Sequence, residues 1–335
     1  MTTFAVDQSP ADYRVLADQI RAANLLARRS GAYVARMALT LAGFAVGWLA
    51  LFAVGNSWMA LAVAPVLAFV STQVVFFGHD AGHQQIFRSR RANRVVGLIA
   101  GDALTGVSFG WWVPKHAAHH AHPNVVDRDP DIGVGGIALA TTTDIAAGRG
   151  GVGRFLARYQ AWLFFPLLAL EGLGLHISGV GFLIRRRDRS AALEGVLLGL
   201  HAVAYLGLVF WVLSPLRGVA FLAVQQSLLG LYLGCTFAPN HKGMPIYNDD
   251  STLGFLERQV SVSRNVKGGR FATFIFGGLN YQIEHHLFPA MPRANLARAR
   301  QIVRAFCASQ DIPYHEVSLV GSYRQALTYL NRVSQ

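Results

Sequence analysis

Apolar positions along this chain gather into long runs separated by short polar stretches, and most runs approach the roughly 20 residues that a helix needs to cross a bilayer. The first run, about 37–54, follows Arg28, Arg29 and Arg36. Gly55-Asn56-Ser57 then supplies a turn, and a second run, 58–78, leads straight into His79. Together they predict a transmembrane hairpin over 37–78. Three later runs cover about 160–184, 191–213 and 218–238. The last two meet at Ser214-Pro215 and predict a second hairpin over 191–238. The segment 95–113 is also apolar, but Asp102 and several glycines interrupt it. Ahead of the first run, Ser9-Pro10-Ala11-Asp12 reads as a helix start, with serine as cap, proline in first position and an acid in the first turn. Val15, Leu16, Ile20, Leu25 and Leu26, set among charges, predict an amphipathic cytosolic helix within 1–35.

Composition sharpens this picture. Of 335 residues, 53% are hydrophobic and 14% charged, against about a quarter charged in an average soluble domain. The chain therefore reads as membrane-embedded. Its net charge of +12 comes from arginines that flank apolar helices, which marks cytoplasmic loops and speaks against nucleic-acid binding. Cys235 and Cys307 are the only cysteines and share no paired spacing, so thiolate zinc and iron–sulfur ligation are excluded. The first 35 residues are polar and of mixed charge, unlike a secretory signal.

The chemistry lies in three histidine clusters: His79-Asp-Ala-Gly-His83, His116-Ala-Ala-His119-His120 and Gln282-Ile-Glu-His285-His286. They hold seven of the twelve histidines. On a helix, residues at i, i+3 and i+4 share a face, so each cluster can aim its ligands at one point. His241, just after the last apolar run, adds an eighth imidazole. Eight histidines and Gln282 exceed the roughly six ligands one first-row ion accepts, so the set implies two metals bound chiefly by nitrogen. Asp80 and Glu284, inside the clusters, are expected to orient imidazoles through their other ring nitrogen. His176, His201 and His315 stand alone and read as hydrogen-bonded structural residues. Asp127, Asp129 and Asp131 read as loop acids that hold histidines or arginines. Gly148-Arg-Gly150-Gly-Val-Gly153 matches a dinucleotide-binding pattern in letters only, since the preceding strand such a site needs is not predicted.

Parity orders the topology. If the clusters build one site, all lie on one membrane face, so 95–113 is re-entrant or interfacial. Arg185-Arg186-Arg187-Asp188-Arg189 marks its loop as cytoplasmic, so 160–184 starts and ends inside. The expected fold is an all-α membrane protein forming one domain over 1–335. It has four transmembrane helices in two hairpins, interfacial helices, and a cytosolic helical cap, 239–335, that holds a di-metal site on the cytoplasmic face.

At these residues the chain resembles the integral-membrane fatty acid desaturases, whose hallmark is three histidine boxes in this order beside four crossings. Asn280-Tyr-Gln-Ile-Glu-His-His-Leu-Phe-Pro289 is similar to the subgroup whose third box begins with glutamine, which includes front-end and linoleoyl-CoA-type desaturases. The resemblance covers roughly residues 35–310. It implies a non-haem di-iron centre, dioxygen as co-substrate, and introduction of a carbon–carbon double bond into a fatty acyl chain carried by CoA or lipid. It also implies an extra histidine between the fourth crossing and the third box, the place of His241. The His-Pro-Gly-Gly mark of a fused haem domain is absent, so a separate ferredoxin- or flavoprotein-type electron donor is expected. Arg88, Arg90, Arg91 and Lys115 are candidates to meet a phosphate-bearing headgroup. A hydroxylase on the same scaffold and a non-enzymatic membrane metal-binding protein are the alternatives.

Overall fold

The computed structural model describes residues 10–132, 150–186, 188–248 and 251–335. Nearly all of its regular structure is helical. Among the described residues the only strands are Asn265–Val266 and Glu316–Val317, which pair in parallel. The chain forms two compact units, one of Met1–Ala27, His116–Leu163 and Thr236–Gln335, the other of Arg28–Lys115 and Phe164–Cys235.

The second of these holds the apolar helices. Ser30–Val54 begins before the expected run, because Ala32, Tyr33 and Val34 extend its apolar pattern past Arg36. Gly55 turns the chain with φ of 65°, and Ser57 caps a short 3-10 turn, Trp58–Ala62, before helix Val63–Gly82. Helices Arg189–Val212 and Pro215–His241 match the second expected hairpin. Leu51, Ala64, Leu67, Val209, Leu213 and Phe221 bury one another where the hairpins meet. Removing such side chains from water stabilises by about 1.5–3 kcal/mol each against a polar surrounding, but lipid is as apolar as leucine. Close packing is what holds these helices together. A Cβ on Gly47 would approach Leu67 Cδ2 to 2.7 Å.

Polar contacts fix the two ends of this unit. At one end the Ser214 amide donates to Asn56 Oδ1 at 2.9 Å, and Arg217 donates to the Asn56 carbonyl at 2.7 Å. Both hairpin turns therefore lie together. At the other end Arg94 donates to Ser190 Oγ at 2.7 Å, which brings the arginine-rich stretch after His83 to the start of Arg189–Val212.

Between these ends runs the interrupted segment. Helix Arg90–Leu98 becomes a π-helical turn, Ile99–Thr105, and the chain then bends by 115° into helix Phe109–Ala121. The break has a polar lining. His201 Nδ1 donates to the Ala103 carbonyl (3.1 Å) and His176 Nδ1 to the Gly106 carbonyl (2.8 Å). The Glu194 carboxylate accepts from the Ser108 hydroxyl (3.0 Å) and the Gly110 amide (2.8 Å). Non-helical backbone far from water requires such partners. From Ser190 to His201 a helix rises roughly 16 Å, so the segment descends about that far before it returns. Leu168 of Phe164–Leu168 packs on Gly234, and helix Glu171–Arg185 lies beside Gln226 through His176.

Gly106 makes the bend possible. Its φ is 70°, and a Cβ there would meet His201 at 2.7 Å and His176 at 2.9 Å. Gly106→Ala is expected to destabilise the protein by about 2–5 kcal/mol, from left-handed strain plus overpacking. Thermal unfolding of the purified variant in detergent checks this, and an unchanged midpoint would contradict the role given to Gly106.

In the other unit, helix Pro10–Ala22 begins where the serine–proline signal places it and ends well short of residue 35. Leu16, Ala17 and Ile20 are buried, whereas Val15 is 51% exposed. The spacing of i, i+4 puts Leu16 and Ile20 on one face and turns Val15 away. That face packs on Leu256, Val260, Ile283, Leu287, Val303 and Phe306. The Tyr13 hydroxyl donates to the Leu287 carbonyl at 3.0 Å, so the N-terminal helix braces the third histidine cluster. Gly151–Arg158 is a helix, and the dinucleotide-like pattern that overlaps it has no strand before it among the described residues.

Candidate metal centre

Six of the eight expected histidines come together in the first unit. Helix Phe109–Ala121 carries His116, His119 and His120, and the short buried helix Gln282–Leu287 carries Gln282, His285 and His286. His241 ends Pro215–His241. The rings of His120 and His286 stack at 4.2 Å, His119 lies 4.8 Å from His241 and 5.1 Å from His286, and His120 lies 4.8 Å from His285. Ligand nitrogens of His119, His241 and His286 all fall within 4.8 Å of one another. Nε2 of His116 and Nε2 of His120 approach to 3.0 Å. In the second unit His79 and His83 pair at 4.7 Å between ring centres, with Trp112 against both. A Cβ on Gly82 would meet Trp112 at 2.8 Å, so that glycine lets the indole close over the pair.

Four of these rings are turned by a partner on the other nitrogen. His119 Nδ1 meets both Asp129 carboxylate oxygens at 3.0 Å. His241 Nδ1 donates to the Val262 carbonyl (3.0 Å) and His286 Nδ1 to the Gln259 amide oxygen (3.0 Å). His79 Nδ1 lies 3.2 Å from Asp80 Oδ1. With Nδ1 the proton donor, Nε2 presents its lone pair, which is the tautomer a metal ligand needs. The donor set is imidazole with carboxylate behind it and no thiolate, since Cys307 is buried in the hydrophobic core. Such a set suits a first-row divalent ion such as iron. The residues gathered here therefore could hold a metal ion.

Asp129 is itself held rigidly. Its oxygens accept from the Asn124 amide (2.7 Å) and the Asp131 amide (2.8 Å), and it is buried. This is the loop acid holding a histidine that the sequence suggested. Gln259 was not legible: nothing in its context marks it, yet its amide also donates to the His120 carbonyl at 2.9 Å and so ties the second cluster to the third. Arg264 was missed too. Fully buried, it donates to the carbonyls of Pro239 (2.9 Å), Lys242 (2.8 Å) and Ser322 (2.9 Å). A cation at a helix C-terminus complements its dipole, and here it fixes the residues on both sides of His241.

Two predicted residues sit differently from expectation. Glu284 lies beside His285 in sequence but accepts from Asn265 Nδ2 (2.8 Å) and the Tyr314 hydroxyl (2.7 Å), not from an imidazole. The peptide geometry of Gln282–Leu287 sends residue 284 away from the face that bears 282, 285 and 286. Burial pushes its carboxyl up to about 7. Gln282 is near the cluster, but its amide oxygen accepts from Asn240 Nδ2 (3.1 Å) while its nitrogen faces His241 Nε2 at 2.9 Å. It orients His241 in this arrangement. His176, His201 and His315 each hydrogen-bond away from the clusters.

Comparison with known proteins gives a consistent result. The fatty acid desaturase family profile matches residues 56–318. An acyl-lipid (9-3)-desaturase of Physcomitrium patens is 32% identical over 289 residues, covering 82% of this chain and 53% of that protein. A Delta(8)-fatty-acid desaturase of Helianthus annuus is 26% identical over 338 residues, covering 94% and 71%. A Delta(6)-fatty-acid desaturase of Caenorhabditis elegans is 29% identical over 285 residues, covering 81% and 64%. The chain thus spans about half the length of the Physcomitrium relative.

Proposed function

The chain belongs to the fatty acid desaturase family, and from that premise we propose that residues 1–335 act as a single front-end-type desaturase domain that introduces a carbon–carbon double bond into a fatty acyl chain carried by CoA or lipid. The observation that carries the reading is the gathering of His116, His119, His120, His241, His285 and His286, each of His119, His241 and His286 with Nδ1 occupied by an acceptor. The histidine-box motif assigns His79 and His83 to the ligand set as well, Asp80 and Asp129 orient imidazoles, and Gln282 stands beside His241. Two non-haem irons with dioxygen supply the oxidising power to remove two hydrogens from adjacent methylenes, which no protein acid or base can deprotonate. The residues of the chain do the rest. Fixed imidazoles keep the ions in place, Trp112 and the apolar helix ends exclude water, and the apolar segments guide the acyl chain. Electrons come from a separate ferredoxin- or flavoprotein-type donor, for which the basic loops offer a surface.

Four crossings, with the metal centre on the cytoplasmic side, fit this reading. Among the described residues, length and apolarity alone admit five spans, Phe164–Arg185 being the one beyond the two hairpins, or six if the bent segment 90–121 counts as one. The joined turns at Asn56 and Ser214, and the opposite contact of Arg94 with Ser190, support two hairpins of like direction. The bent segment 90–121 then enters and leaves on the arginine-rich side, as the positive-inside rule favours.

The test is the fatty-acid profile of a host expressing the chain with a competent reductase. A product lighter by two hydrogens supports desaturation. A product heavier by one oxygen would identify the hydroxylase alternative, and an unchanged profile would argue for metal binding without turnover.

A further inference from the structure

A groove of about 790 Å³ opens between helices Glu171–Arg185 and Arg189–Val212, entirely within one unit and with no cluster histidine in its lining. Val180, Leu183 and Ile184 form one wall, and Leu198 with Gly195 and Gly199 the other. Nothing fills the space above these two glycines: a Cβ on either would have no atom within 4 Å. The volume falls within the range of ligand sites. Its mouth is basic. Arg186 and Arg189 line it, and Arg185 stands one residue away. Asp188, the one acid in the run, is engaged by Arg186 and caps the following helix through the Ala191 amide. Arg185 and Arg189 meet no acidic side chain among the described residues. The same end of the unit carries Arg94, bound to Ser190.

An apolar cleft between membrane helices with unneutralised guanidiniums at its rim matches one kind of ligand: an acyl chain ending in an anion. Basic pockets between membrane helices recognise anionic headgroups in this way, and guanidinium pairs phosphate oxygens in a fork that a lone ammonium lacks. We propose that this groove binds one anionic glycerophospholipid of the surrounding leaflet, its phosphate between Arg185 and Arg189 and an acyl chain along Gly195 and Gly199. The site is distinct from the metal centre, so it bears on lipid association whatever reaction the clusters perform.

Native mass spectrometry of the purified full chain tests this, with phosphatidylglycerol and phosphatidylcholine offered together. The wild type is expected to retain phosphatidylglycerol preferentially. Arg185→Gln with Arg189→Gln should weaken that retention about twenty- to thirtyfold, at the usual contribution of two basic residues at an anionic surface. Gly195→Leu with Gly199→Leu fills the groove, improves helix propensity and should also release the lipid while leaving the fold intact. Equal retention of both lipids by the wild type would overturn the proposal, as would a filled groove that still holds phosphatidylglycerol. If millimolar inorganic phosphate displaced the lipid and the filled groove made no difference, the arginines would bind phosphate alone and the acyl subsite would be refuted.

Discussion

His120→Ala reduces formation of the new double bond to below about 1% of wild type, while the protein still inserts and folds. The magnitude follows from the position of the ring. His120 stacks on His286 and approaches His116 Nε2 to 3.0 Å, with its main-chain carbonyl held by Gln259. Losing a group that merely orients a metal ligand already costs 10–100-fold, and losing the ligand itself costs more. The structural penalty is smaller. His120 is half-buried near the end of helix Phe109–Ala121, and alanine is the best helix former, so the helix keeps its backbone bonds. Product quantification beside a folding readout, such as gel-filtration profile, separates the two effects. Activity of a well-folded variant near that of wild type would remove His120 from the metal centre.

The second large effect belongs to Asp129. Its two oxygens share three donors: His119 Nδ1 and the amides of Asn124 and Asp131. In Asp129→Asn the new carboxamide would have to turn its NH2 group toward one of those donors. Two donors would then face each other in a buried site, where an unsatisfied polar group costs about 1–3 kcal/mol. The substitution would also remove the charge that favours the His119 tautomer. Asp129→Asn is therefore expected to lower metal affinity or activity 10–100-fold. Glu284→Gln is the control. Glu284 hydrogen-bonds Asn265 and Tyr314 and not an imidazole, so its effect should fall on stability more than on metal content. Metal content and turnover of the two variants, measured in parallel, decide between them. A larger metal loss in Glu284→Gln would reverse the assignment.

What the sequence revealed follows from what repeats locally. Apolar runs of bilayer length and imidazoles at i, i+3 and i+4 are properties of single helices, so the hairpins and the three clusters were legible. His241 carried a signal only through its place after the last run. Other contacts that fix the clusters come from single polar residues far away in sequence. Gln259 reaches His120 and His286, and Arg264 reaches three carbonyls in two separate segments. No spacing announces such contacts, because the fold and not the period brings them together. Glu284 shows the converse. Its place inside the third cluster suggested an imidazole partner, but residue 284 lies off the helix face that bears 282, 285 and 286, and its carboxyl turned to Asn265 and Tyr314. Val15 failed for the same reason, as an apolar residue off the buried face.

The bend at Gly106 illustrates another limit. Glycines and Asp102 signalled an interruption, but not that His176 and His201 would supply the hydrogen bonds that let the backbone break there. Isolated histidines read correctly as structural, while the structure they serve was visible only in three dimensions.

The most direct test of the whole account is the iron content of the purified full chain, measured by elemental analysis together with the oxidation of an acyl substrate by that same preparation supplied with dioxygen and a reduced ferredoxin- or flavoprotein-type donor. The account predicts two irons per chain, loss of the metal and of product formation together on chelation, and recovery of both on adding ferrous iron. A chain that turns over substrate without iron, or that holds one tightly bound zinc and no second ion, would contradict it.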